Sequence, residues 1–112
     1  MSDRLAARRN ASGASPLHGL LIIVEAKDGK QDQVAAILNN ALNSVVREPG
    51  TITWYAYRLT ETEFGVFNTF SDDESRQTHL SGEVAKALEQ CSNELLARPP
   101  SIERIDIITS KI

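Results

Sequence analysis

A strand that is apolar on both faces cannot be the outer wall of a free-standing sheet, because one face would be left against water. Residues 51–59, Thr-Ile-Thr-Trp-Tyr-Ala-Tyr-Arg-Leu, form such a strand. Alternation sends Ile52, Trp54 and Ala56 to one side and Tyr55, Tyr57 and Leu59 to the other. The segment holds the single tryptophan and both tyrosines of a chain in which aromatic residues are only 5% of the total, so their concentration here is informative. It begins directly behind Arg47-Glu48-Pro49-Gly50, a helix-breaking sequence.

The flanking segments place this strand in an order of elements. Residues 1–17 are rich in Ser, Ala, Gly and Arg without periodicity, and read as a flexible leader before a single domain at 18–112. The apolar run from His18 closes at Asp28-Gly29, as a buried strand ending in a turn. Val34, Ile37, Leu38, Ala41, Leu42 and Val45 then recur at helical spacing and form one apolar stripe, which Pro49 terminates. The aromatic strand and a second strand at 63–70 follow, joined by the polar Thr60–Glu63 segment. Pairing residue 58 with 64 places 54 opposite 68 and 52 opposite 70, with Ile52, Trp54, Asn68 and Phe70 on one face. Ser71-Asp72-Asp73-Glu74 reads as a capping box with Ser71 as N-cap, opening a short helix that ends near His79 and Leu80. A further helix carries Val84, Leu88, Cys91 and Leu95 inward, stops at Pro99-Pro100, and leads into an isoleucine-rich last strand over 101–112.

The resulting β-α-β-β-α(α)-β order predicts an α+β, ferredoxin-like split βαβ fold: a four-stranded antiparallel sheet with its helices on one face. The other face carries Tyr55, Tyr57, Leu59, Phe67, Ile105 and Ile107, enough grease to drive association with a second copy. A homodimer is therefore expected.

Charge and cysteine usage narrow the functions. The 112 residues carry a formal charge of −3, which disfavours nucleic-acid binding as the main task. The leader is net +2 and the remainder −5, but three arginines make a weak nucleic-acid arm. A lone Cys91 permits no intrachain disulfide and no thiolate cluster, in keeping with a cytoplasmic setting. The longest apolar run is strand-sized, so no membrane span is expected. The two histidines, His18 and His79, have no two-histidine ligand spacing, and phosphate loops and dinucleotide fingerprints are absent. Neither a metal nor a cofactor is expected.

Several stretches together resemble a known family. The segment from Asp28 to Leu38, the break and strand from Arg47 to Arg58, the segment from Phe64 to Leu80 and the closing strand are similar to the antibiotic biosynthesis monooxygenase domain, over 18–112. The resemblance implies a dimeric α+β barrel, and a family in which quinol and anthrone oxygenases stand beside haem-degrading relatives. Two departures matter. Many quinol-type members carry Glu-x-Trp at the end of the third strand, where this chain has Asn68 and Phe70. Haem-degrading relatives use a histidine on the later helix, and residues 81–98 contain none. Haem degradation is disfavoured.

The expected activity is a cofactor-independent monooxygenation of a quinol- or anthrone-type aromatic. Such substrates react with dioxygen once deprotonated, so the protein need supply only an apolar slot, a base, donors for the oxyanion and exclusion of water. His79 is the candidate base and Asn68 the group that orients the phenolic oxygen. Trp54 and Phe70 would wall the slot, with Tyr57 or Arg104 donating nearby. The same residues admit plainer roles. Trp54 fits the core, His79 the negative end of a helix, and Asn68 a strand-end backbone contact. Arg104 with Asp106 suits an ion pair to a partner chain, and Tyr55 and Tyr57 suit the subunit interface. The alternative is a non-catalytic dimeric module that binds a small apolar ligand or stabilises a complex.

Overall fold

The computed structural model describes residues 17–112. Its elements run β1 (His18–Glu25), α1 (Gln31–Val45), β2 (Thr51–Arg58), β3 (Glu63–Phe70), α2 (Asp73–Leu80), α3 (Glu83–Leu95) and β4 (Ser101–Asp106). The four strands form one antiparallel sheet in the order β2-β3-β1-β4, and the helices cover one face. This is the expected α+β split βαβ arrangement. The predicted leader lies outside the described residues except for Leu17, whose carbonyl accepts from the Ile107 N–H at 2.9 Å.

Two apolar clusters hold the helices to the sheet. One joins Leu20's neighbours Ile22 and Val24 on β1 and Phe64 and Val66 on β3 to Val34 and Leu38 on α1 and Leu95 on α3. The other sets Ala41 and Val45 of α1 against Val84 and Leu88 of α3. Trp54 packs on both. The stripe of α1 is narrower than its spacing suggests, for Leu42 lies on its edge and stays 49% exposed.

Local chemistry sets the connections. Gly29 takes φ +82°, the left-handed turn conformation that glycine adopts without strain. The β2–β3 turn lacks glycine because Thr60 replaces it. Its hydroxyl accepts from the N–H groups of Thr62 and Glu63, at 3.3 and 3.0 Å. The N-cap of α2 is Asp72, not Ser71: its extended backbone lets the carboxylate accept from Ser75 N–H at 2.7 Å. Ser71 instead gives its N–H to the Gly50 carbonyl at 3.1 Å.

The β2–β3 register pairs Arg58 with Phe64 and Trp54 with Asn68, as expected, and then shifts. Thr51, not Ile52, stands opposite Phe70, so Ile52 is the extra residue of a β-bulge. The last strand is also shorter than its isoleucine-rich sequence suggests. Only Ser101–Asp106 form β4, and Ile108 and Ile112 beyond it are 88% and 78% exposed.

On the face away from the helices, Phe67 lies between Leu21 of β1 and Tyr55 of β2. Tyr55 is 60% exposed there. The Tyr57 ring covers Gly65, where an added Cβ would sit 2.5 Å from the ring carbons.

Candidate functional site

The helix-covered face brings together the residues on which chemistry could rest. Asn68 points inward from β3 and has no exposed surface. His79, on the last turn of α2, is 5% exposed, and its Nε2 lies 3.0 Å from Asn68 Nδ2. Its Nδ1 lies 2.7 Å from Glu48 Oε1, and Thr51 Oγ1 donates to the same carboxylate oxygen at 2.7 Å. Phe70 flanks the imidazole, with ring centroids 5.3 Å apart and planes tilted by 50°.

These contacts specify the protons. A carboxylate accepts only, so Nδ1 carries the hydrogen and donates to Glu48. In the neutral ring Nε2 then offers a lone pair, which receives the Asn68 amide N–H. The order is Asn68 to His79 to Glu48, a base held in orientation by a carboxylate.

Backbone packing fixes the partners. Pro49 ends the α1 turn, and Gly50 lies so close to α2 that an added Cβ would meet Ser75 Oγ at a separation of 2.0 Å. This contact sets Glu48 beside His79. Arg76 anchors α2 to the sheet. Its buried guanidinium donates to the carbonyls of Gly19 and Ile105, at 3.3 and 3.2 Å, and to Asp73 Oδ1. At the start of α2, hydrogen bonding to Ser75 holds the Asp72 carboxyl below its ordinary range, and the Arg76 bond does the same for Asp73.

Glu48, Thr51, Ser75, Thr78 and His79 line a groove of about 510 Å³, completed by Ser44, Arg47 and Glu83 among others. Its floor reaches His79, and Asn68 lies one hydrogen bond deeper. Trp54 stands beside Asn68 on the neighbouring strand, while Phe70 is wholly buried and does not line the groove. Of the six residues singled out in the sequence, four therefore gather: His79, Asn68, Phe70 and Trp54. Tyr57 does not join them, because its pairing with Gly65 puts it on the opposite face of the sheet. Nor does Arg104, an exposed β4 residue whose guanidinium donates to Gln77 Oε1 at 2.6 Å.

Glu48 and Arg76 were not foreseen. The signal for Glu48 was present: a carboxylate just past a helix C-terminus opposes the helix dipole, which suggests that another contact holds it there. Among the described residues no three His, Cys, Asp or Glu side chains converge to hold a metal ion. No described helix is long and apolar enough to cross a membrane.

Comparison with known proteins returns this fold repeatedly. The chain is 36% identical to the NE2512 protein of unknown function from Nitrosomonas europaea, with a TM-score of 0.83 over 86% of this chain and 93% of that one. It aligns with a solved antibiotic biosynthesis monooxygenase at 13% identity and a TM-score of 0.72, over 83% of this chain and 100% of that one. A candidate antibiotic biosynthesis monooxygenase from Nitrosomonas europaea gives 12% identity and a TM-score of 0.74, over 83% and 91% of the two chains. No family model and no curated protein matches the chain. The chain thus belongs to the family of the NE2512 protein and has the ferredoxin-like α+β fold of the antibiotic biosynthesis monooxygenases.

Proposed function

We propose that the protein is a cofactor-independent monooxygenase that oxidises a quinol- or anthrone-type aromatic with dioxygen, working as a homodimer closed across the open face of the sheet. The observation that carries this reading is the Glu48–His79–Asn68 chain, which runs from a part-exposed carboxylate in a groove to a fully buried amide. Imidazole paired to a carboxylate is suited to taking a proton, and the Glu48 charge stabilises the imidazolium that results.

For an anthrone-type substrate the chemistry closes without a further reagent. A substrate hydroxyl in its enol form displaces the Asn68 amide from Nε2 and gives that nitrogen its proton. The electron-rich anion passes one electron to dioxygen, and the two radicals combine to form a C–O bond. The imidazolium returns its proton to the distal oxygen, giving a hydroperoxide. Loss of the remaining C–H proton then breaks the O–O bond, leaving a carbonyl on the ring and releasing water. Phe70 beside the imidazole and Trp54 beside Asn68 supply apolar surface behind the groove, whose own lining residues are mostly polar.

A second reading rests on a specific feature. Both nitrogens of His79 are occupied and Phe70 has no exposed surface, as in a polar cluster whose task is to pin the 47–51 segment to α2. A non-catalytic module would use it so. Oxygen uptake by the purified protein, with a panel of hydroquinones and anthrones, separates the two. The oxygenase reading expects uptake with quinone formation, reduced about a hundredfold or more in His79→Ala. Absence of uptake across the panel, with His79→Ala affecting only the melting temperature, favours the module.

A further inference from the structure

Three buried side-chain polar atoms have no hydrogen-bond partner among the described residues: His18 Nδ1, Trp54 Nε1 and Asn68 Oδ1. Orphaned groups of this kind are uncommon in folded proteins and call for an explanation. His18 stands on β1 opposite Phe70, whereas Trp54 and Asn68 stand directly opposite each other in the β2–β3 ladder, a pairing that sets Cβ atoms about 4.5–5.5 Å apart.

The orientation of the amide follows from its neighbours. Glu48 keeps the proton of His79 on Nδ1, Nε2 accepts from Asn68 Nδ2, and Oδ1 is therefore turned away from the ring. What remains is one donor that cannot accept and one acceptor that cannot donate. An ether or ketone oxygen would satisfy the indole alone. A hydroxyl satisfies both, accepting from the indole N–H and donating to the amide oxygen.

We infer that Trp54 and Asn68 form a subsite for one hydroxyl group of an aromatic ligand, Nε1–H donating to its oxygen and Oδ1 accepting its hydrogen. The site lies one hydrogen bond behind the groove floor at His79. In the oxygenase reading, on which the choice of an aromatic ligand rests, this is the resting pose. When the Asn68 amide leaves Nε2 the hydroxyl hydrogen turns from Oδ1 to that nitrogen, and Trp54 is the donor that stays on the oxygen after the proton has left.

The single tryptophan makes the test direct, since nitrogen-15-labelled protein yields one indole N–H signal. Phenol is titrated against anisole, which has the same ring and an oxygen that only accepts. Phenol is expected to shift the indole signal saturably and to bind about tenfold tighter or more. Asn68→Leu, once circular dichroism shows it folded, should bring phenol down to the affinity of anisole. Equal binding of the two probes, an indole signal unmoved by phenol, or a preference that survives Asn68→Leu would overturn the subsite. If Asn68→Leu fails to fold, the comparison of probes on the natural chain still decides. Oxygen uptake keeps the two ideas apart: an indole response without turnover removes the oxygenase and leaves the subsite, while turnover with a silent indole removes the subsite alone.

Discussion

The two faces of the sheet are made from the same four strands and solve opposite problems. The inner face carries Leu20, Phe64, Val66 and Phe70, all buried within one protomer, and among them the polar Asn68. The outer face carries Leu21, Tyr55 and Phe67 with no helix over them. Inside, apolar packing is complete and the unsatisfied groups are polar. Outside, the backbone is paired and the unsatisfied surface is apolar. A protomer of this design leaves polar groups open to a ligand or water on one side and, in the homodimer proposal, an apolar face open to a second copy on the other, and each is testable separately.

The largest expected effect lies on the inner face. Phe70→Ala removes a side chain with no exposed surface and should cost about 3–5 kcal/mol of stability, read by denaturant unfolding. The matching change outside, Tyr55→Glu, should leave the protomer folded. It should weaken self-association about a hundredfold, some 2.7 kcal/mol, and halve the mass seen by light scattering. A natural chain that is monomeric at high concentration would end the homodimer proposal and leave the outer face without an explanation.

Smaller effects sharpen the link between the site and its scaffold. Gly50→Ala drives a methyl group into Ser75. It should cost about 1–3 kcal/mol and, by shifting Glu48, lower any turnover as well. Glu48→Gln keeps the shape of the side chain but removes the charge facing His79. It should cost about 1–2 kcal/mol and reduce activity more than stability. The least effect is expected at the start of α2. Asp72 and Asp73 have folded-state values below the ordinary 3.8, so each stabilises the fold above that value. The contribution is lost as pH falls through the lower folded value. Melting temperatures should therefore drop as the pH is lowered below the ordinary carboxylate value of 3.8, and Asp72→Ala should flatten that part of the curve.

The element order was legible in the sequence because it is written in periods of two and of about 3.6 residues, and Val34, Leu38, Ala41 and Val45 are buried where that spacing puts them. Asn68 and His79 could be singled out as residue types. Their contact could not, since it depends on how α2 docks on the sheet, and the docking rests on Arg76, a residue type rarely buried. Glu48 and His79 are 31 positions apart, beyond the reach of any local pattern. The helix cap was missed by one residue because Ser71 and Asp72 are both competent and tertiary pairing of Ser71 with Gly50 made the choice.

Ile52 shows how much can turn on one inserted residue. In an unbroken ladder the side chain of position 51 would fall on the side of Tyr55 and Tyr57. The bulge reverses that parity, so Thr51 faces inward opposite Phe70 and its hydroxyl reaches Glu48. Were Ile52 paired straight across from Phe70 instead, Thr51 would turn to the outer face and the Glu48 segment would lose its hydroxyl partner, disconnecting the relay while leaving every residue of it in the sequence.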